Sequence, residues 1–376
     1  MRHQPPALRS RPAALIAPAA FIAAAALALA VAGCQPPAVR SGPTVLPPLA
    51  GAAQAAADDS WYSLYLTTPA ANAAVADPGG GIPDKIAASF DAARQTIDLA
   101  IYQFDLEPIA AALVRAQQRG VRVRVVTDSD SLSMFGIQTV RQADIPVVPD
   151  GRSAIMHDKF AIVDGAVVWT GSMNFTVSDA YHNDNNVLEI RSAELARSYT
   201  REFEKMFVSK SFGAHAGAGS PAPVVTIGGA AVESYFAPNG QAAEHIDDAL
   251  AGANQSIYFM AFTFTRKDFA QTLLDKAAAG LDVRGVFEAE QVAAGGSQVW
   301  DMLTQGGLAA DMRQDGNTRN MHNKVFVVDR ASVVTGSYNF SASAELDNDE
   351  NVLIIHDPTL AAAYYARWER IWAQAR

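Results

Sequence analysis

From residue 82 onward, two apolar periods alternate along the chain. Ile82 to Arg94 carries apolar positions at helical spacing, and Ile97 to Phe104 is a short apolar run of strand length. Ile109 to Arg119 is helical again, and Val121 to Val126 follows Gly120 as a second strand. The same order returns later: helix over Ala243 to Ala253, strand over Ile257 to Phe264, helix over Phe269 to Ala279, and strand over Val283 to Phe287 after Gly280. Strands alternating with helices, twice over, predict a duplicated α/β fold with two mixed β-sheets flanked by helices and packed about a pseudo-two-fold axis.

Each half also carries a longer match, HDKFAIVDGAVVWTGSMNFT from His157 and HNKVFVVDRASVVTGSYNFS from His322, an offset of 165 residues. HNDNNVLEI from His182 and DNDENVLII from Asp347 keep that offset. Ser209 to Val224, rich in Gly, Ala, Ser and Pro, separates the copies. The expected organisation is a signal over 1–33, a tether over 34–58, a first half over 59–210, a linker over 211–228 and a second half over 229–376.

The N-terminal expectation rests on Ala13 to Ala32, almost purely apolar after Arg2, Arg9 and Arg11. It ends Val31-Ala32-Gly33-Cys34, which resembles the lipobox of bacterial lipoproteins, where cleavage precedes a cysteine that takes the lipid. An uncleaved anchor helix and a plain cleaved signal are the other readings, and all three export the domain. The lone cysteine at the lipobox position favours lipidation of Cys34. Gln35, in place of Asp, resembles lipoproteins sorted to an outer membrane, facing the periplasm. The stretch from Gln35 to about Asp58, rich in Ala, Pro and Gly, reads as a flexible tether.

Composition narrows the function classes. The 376 residues are 49% hydrophobic and 18% charged, globular rather than disordered. One cysteine excludes a disulfide framework and a cysteine zinc site. The net charge of −10 becomes −13 without residues 1–33, which hold three arginines and no acid. Such a molecule repels polyanions and lacks the basic surface of a nucleic-acid-coating protein.

The shared residues point to phosphate chemistry. His157 and Lys159 lie two apart, as do His322 and Lys324, so each pair shares one face of an extended strand. Two halves on a pseudo-two-fold axis bring both pairs to one seam, with Ser172, Asn174, Ser337 and Asn339. Ammonium and amide donors suit the non-bridging oxygens of a phosphodiester. One imidazole attacks phosphorus while the other protonates the leaving oxygen, and the lysines supply the charge a metal ion would.

This pattern resembles the HxK(x)4D-(x)6-GSxN signature of the phospholipase D superfamily, here present twice and complete across roughly residues 60 to 376. The resemblance implies a phosphohistidine intermediate, one active site built from both motifs, and substrates from phospholipids to nucleic acids. It makes His157 the nucleophile and His322 the general acid, with Lys159, Lys324, Asn174 and Asn339 on phosphate. It makes Asp164 and Asp329 structural supports and leaves Ser172 and Ser337 between support and phosphate binding. No cofactor or metal ion is implied, and no obligate dimer. Glu350, 28 residues past His322, implies a carboxylate holding that histidine; the same step from His157 reaches Asn185. The expectation is therefore His322 with Glu350, kept protonated, and His157 beside Asn185, neutral, with Asp184 as a possible substitute carboxylate for His157.

Other residues carry blander expectations. His182, His215, His245 and His356 read as surface residues. Tyr102, Phe104, Phe262, Phe264 and Trp169 read as core, and Arg122 and Arg124 as a solvated strand face. Of the acids Asp347, Asp349 and Glu350, the repeat favours histidine support over a cation site. The leading functional expectation is a membrane-tethered hydrolase acting on phospholipid head groups at a membrane surface. A superfamily endonuclease acting on DNA or RNA, a cardiolipin synthase-like phosphatidyl transferase and a non-catalytic binding module are the alternatives.

Overall fold

The computed structural model describes residues 60–67, 69, 81–216, 224–294 and 298–376, all within one unit, Ala53–Arg376. The expected signal, Cys34 and the tether lie outside the described residues. The first apolar runs become strands β1 (Tyr62–Leu66), β2 (Thr96–Ile101), β3 (Arg122–Thr127), β4 (Val147–Pro149), β5 (Lys159–Val163), β6 (Val167–Gly171) and β7 (Asn186–Arg191). The second half gives β8 (Val225–Ile227), β9 (Ala230–Ala237), β10 (Ser256–Ala261), β11 (Asp282–Phe287), β12 (Met312–Gln314), β13 (Lys324–Val328), β14 (Ser332–Gly336) and β15 (Glu350–His356).

The first sheet runs β4-β3-β2-β5-β6-β7-β1 and the second β12-β11-β10-β13-β14-β15-β9-β8. The order is the same in both, with β8 an added edge; β8 belongs to the second sheet although its residues fall inside the span expected as linker. In each sheet the three strands at one end are parallel and the rest antiparallel, the mixed sheet predicted. Helices Ile82–Ala92 and Glu107–Gln118 cover the outer face of the first sheet with Ile86, Phe90, Ile109 and Leu113; Ala242–Ala251 and Lys267–Ala278 do so on the second. A third core lies between the sheets, where helices Ala193–Phe207 and Pro358–Gln374 contribute Tyr199, Phe203, Tyr364 and Trp368.

That central layer corrects the reading of Arg124. Its guanidinium is buried and paired with Asp98 at 2.8 Å and Glu204 at 2.7 Å, with the rings of Phe203 and Phe207 each 4.9 Å away. Arg122 is exposed. The helix Ala193–Phe207 packs over the face that alternation alone left open to solvent.

One glycine in each motif is dictated by packing. Gly171 and Gly336 have φ of 156° and 143°, and a Cβ on either would stand 2.2 Å from the carbonyl oxygen of Asn186 or Asn351. The contact presses the end of β6 onto the start of β7, and β14 onto β15, so that Ser172 and Ser337 donate their N–H to those same carbonyls, each at 3.0 Å.

Candidate active site

The two halves exchange backbone at their junction. His157 N–H donates to the Asp349 carbonyl at 2.9 Å and Asp349 N–H to Ile155 at 3.0 Å; His322 N–H donates to Asp184 at 2.8 Å and Asp184 N–H to Asn320 at 2.8 Å. The segment entering each motif therefore pairs with the segment entering the last long strand of the other half, as short parallel bridges. The residue after that bridge, Glu350 or Asn185, is delivered to the opposite half's histidine.

The delivery reverses the expected pairing. Glu350 Oε2 lies 2.8 Å from His157 Nδ1, and Asn185 Oδ1 lies 3.0 Å from His322 Nδ1. The 28-residue step identifies the right residues and the wrong histidine, because the support acts across the seam. Asp184 does not substitute for a histidine partner: it forms an ion pair with Arg367 and accepts from Asn317 Nδ2 at 3.0 Å. Its counterpart Asp349 forms an ion pair with Arg152 and accepts from Gly213 N–H at 2.7 Å. Of that acidic run, Glu350 supports a histidine and Asp349 pairs with Arg152 instead.

Both lysines are buried in β5 and β13, and each ammonium donates to the carbonyl of its own histidine, Lys159 at 2.7 Å and Lys324 at 2.8 Å. Tyr102 and Phe262, partly exposed, lie over those ammoniums at 5.3 Å and 4.7 Å and beside His157 and His322 at 5.2 Å and 4.5 Å between ring centres. The core reading fits Phe104, Phe264 and Trp169 but not these two rings, which line the site. Burial pulls Lys159 down to about 8 and Lys324 well below its ordinary value, the latter also through Lys159. Both histidines are pulled well below theirs, first by burial and then by the two lysines. Glu350 is pushed up to about 7 by burial, against the pull of Lys159, Ser337 and Lys324. The backbone exchange at Asp349 and Asp184 brings the two His-Lys pairs to one seam.

The serines are spent internally. Ser172 Oγ donates to Asn185 Oδ1 at 2.8 Å and accepts from Asn186 N–H; Ser337 Oγ donates to Glu350 Oε2 at 2.6 Å and accepts from Asn351 N–H. Both are fully buried, so they hold the histidine partners rather than phosphate. Asn174 and Asn339 each keep a side-chain carbonyl buried without a hydrogen-bond partner. Asp164 accepts from the N–H groups of Arg94, Gln95 and Thr96, and Asp329 from those of Asn254, Gln255 and Ser256. Positive φ at both, 52° and 53°, turns each carboxylate onto the loop before β2 or β10, away from the imidazoles.

One acid at the site was not singled out from the sequence. Asp179, 3% exposed on the short helix Val177–Tyr181, brings Oδ2 to 3.8 Å from His322 Nδ1. The 165-residue register puts Ala344 in its place in the second half, so repetition carried no signal for it.

A duplicated α/β fold with a His-Lys pair from each half meeting across the seam defines a class, and the comparisons agree. The family described as "Cardiolipin synthase, PLD-like domain" matches residues 86–207 and 246–372, most of both halves, and the chain belongs to it. Over 117 residues it is 38% identical to the mitochondrial cardiolipin hydrolase of Xenopus tropicalis, covering 31% of this chain and 56% of that protein. It is 37% identical over 128 residues to a phospholipase D of Rickettsia bellii, covering 34% and 64%. The chain thus spans about half to two thirds of the length of these curated relatives. The crystal structure of phosphatidylserine synthase from Haemophilus influenzae superposes with a TM-score of 0.62 at 14% identity, covering 78% of this chain and 84% of that one; it bears on the fold alone.

Proposed function

We propose that the protein is a phospholipase D-type phosphodiesterase that hydrolyses the head-group ester of phospholipids through a phosphohistidine intermediate, without a metal ion. The observation that carries the reading is the crossed support of the histidines, which gives the two imidazoles different backing. Nδ1–H of His157 is held by a carboxylate, which leaves Nε2 as the nucleophile and can balance the positive charge of a phosphorylated imidazole. In the first step Nε2 of His157 bonds to phosphorus, the bond from phosphorus to the head-group oxygen breaks, and His322 gives its proton to that oxygen. In the second, His322 takes a proton from water, the water oxygen bonds to phosphorus, and the phosphorus–nitrogen bond breaks to release phosphatidic acid and free His157. Lys159 and Lys324 offset the charge on the non-bridging oxygens in both steps.

The substrate class is supported by the relatives named for cardiolipin hydrolysis and phospholipase D activity, and by a net charge of −10 that disfavours polynucleotides. Export and anchoring through Cys34 belong to the same proposal, because a tether would hold the site beside its substrate. The test offers the purified protein phosphatidylcholine vesicles, cardiolipin vesicles and single-stranded DNA in EDTA. Release of choline, or of phosphatidylglycerol from cardiolipin, is the expected result; nicked DNA without lipid turnover, or no turnover at all, overturns it.

A further inference from the structure

We propose that Asp179 is the charge partner of His322, a positioning residue that lets this histidine carry the proton for the leaving group. The inference rests on the reading of His322 as general acid. Across the seam, Asn185 gives His322 an amide oxygen where Glu350 gives His157 a carboxylate. An amide oxygen fixes the ring's tautomer but adds no charge to retain a second proton. Burial, Lys324 on its own strand, Lys159 from β5 and His157 across the seam all work against protonation of His322. Asp179, with Oδ2 3.8 Å from the His322 Nδ1, favours the charged imidazole.

Asp179 is built to stay ionised. Its Oδ2 accepts from the Asn174 N–H at 2.6 Å and its Oδ1 from Asn183 Nδ2 at 2.5 Å, and these donors with His322 hold it below the ordinary carboxylate range despite burial. It is tied to the amide it complements, because Asn185 Nδ2 donates to the Asp179 carbonyl at 3.0 Å. The second half, whose seam residue is itself an acid, has Ala344 at this register. One carboxylate thus backs each His-Lys pair, from the seam strand for His157 and from six residues upstream of Asn185 for His322.

The experiment compares full-length wild type, Asp179→Asn, and Asp179→Asn combined with Asn185→Glu. NMR titration of the His322 ring reads the proposal without any substrate. The ring should titrate about one unit lower in Asp179→Asn, a tenfold loss of imidazolium at a given pH, and return in the double variant. Turnover adds a second reading: Asp179→Asn should lose at least about tenfold on phosphatidylcholine, whose alkoxide needs a proton, and far less on bis(p-nitrophenyl) phosphate, whose leaving group does not. A His322 titration unchanged by Asp179→Asn in a folded protein overturns the proposal, as does an equal loss on both substrates. Wild type that cleaves the aryl diester but no phospholipid would sink the lipid reading and leave the Asp179 titration standing.

Discussion

His157 and Glu350 lie 193 residues apart in the chain and meet at 2.8 Å, the carboxylate of the second half behind the imidazole of the first. Neither half can complete its own histidine. Two copies of one unit, each short of a partner for its own histidine, supply each other's.

Glu350→Gln keeps the shape and removes the charge. Burial pushes Glu350 up to about 7, and its ionised form is the one that would balance a phosphorylated His157, so wild-type kcat should rise as pH climbs through about 7. The variant should lose kcat by about 10²- to 10³-fold, the scale of a deleted electrostatic stabiliser, and lose that limb of the profile. Head-group release measured from pH 5 to 9 checks both.

Asp164→Ala should destabilise without touching chemistry. Its carboxylate caps three backbone N–H groups, and a lost cap costs about 1–2 kcal/mol. Despite partial burial, those N–H bonds hold its pKa below the ordinary carboxylate value, so its stabilisation is present above about pH 4 and fades as pH falls through the folded value. Urea unfolding should separate wild type from variant at pH 7 and bring them together as pH falls below the ordinary carboxylate value, with kcat at pH 7 unchanged.

Arg367→Ala should loosen the junction of the halves. Arg367 pairs with the buried Asp184 and donates to the Thr67 carbonyl at 2.8 Å, joining the last helix to the first half. Removing it strands Asp184 without its cation, at a cost of about 3–5 kcal/mol. Calorimetry should find a markedly lower Tm at pH 7.

Much of this was legible in the chain. The helix expected over Ile82 to Arg94 ends at Ala92, and the strand over Val283 to Phe287 begins one residue earlier at Asp282, because strong apolar periodicity reports its own element. The fold and the two motifs followed from the repeat. The partners of the histidines did not: a fixed step along the chain names Glu350 and Asn185, but only the exchange of backbone at Asp349 and Asp184 decides which imidazole each meets. Asp179 was hidden because the repeat has no second copy of it, and Arg124 because a strand's alternation cannot tell a solvated face from one roofed by a helix. Ser172 and Ser337 look like phosphate ligands by residue type, yet their hydroxyls are consumed by the residues that hold the histidines.

In the proposed mechanism His157, backed by Glu350, forms the covalent bond to phosphorus and His322 protonates the leaving oxygen. Trapping the intermediate tests it most directly. His322→Asn, given phosphatidyl-p-nitrophenol and quenched, should release a burst of p-nitrophenolate stoichiometric with protein and carry a phosphatidyl adduct on the peptide containing His157. An adduct on His322 in the wild-type protein, or a burst that survives His157→Asn, would contradict the account.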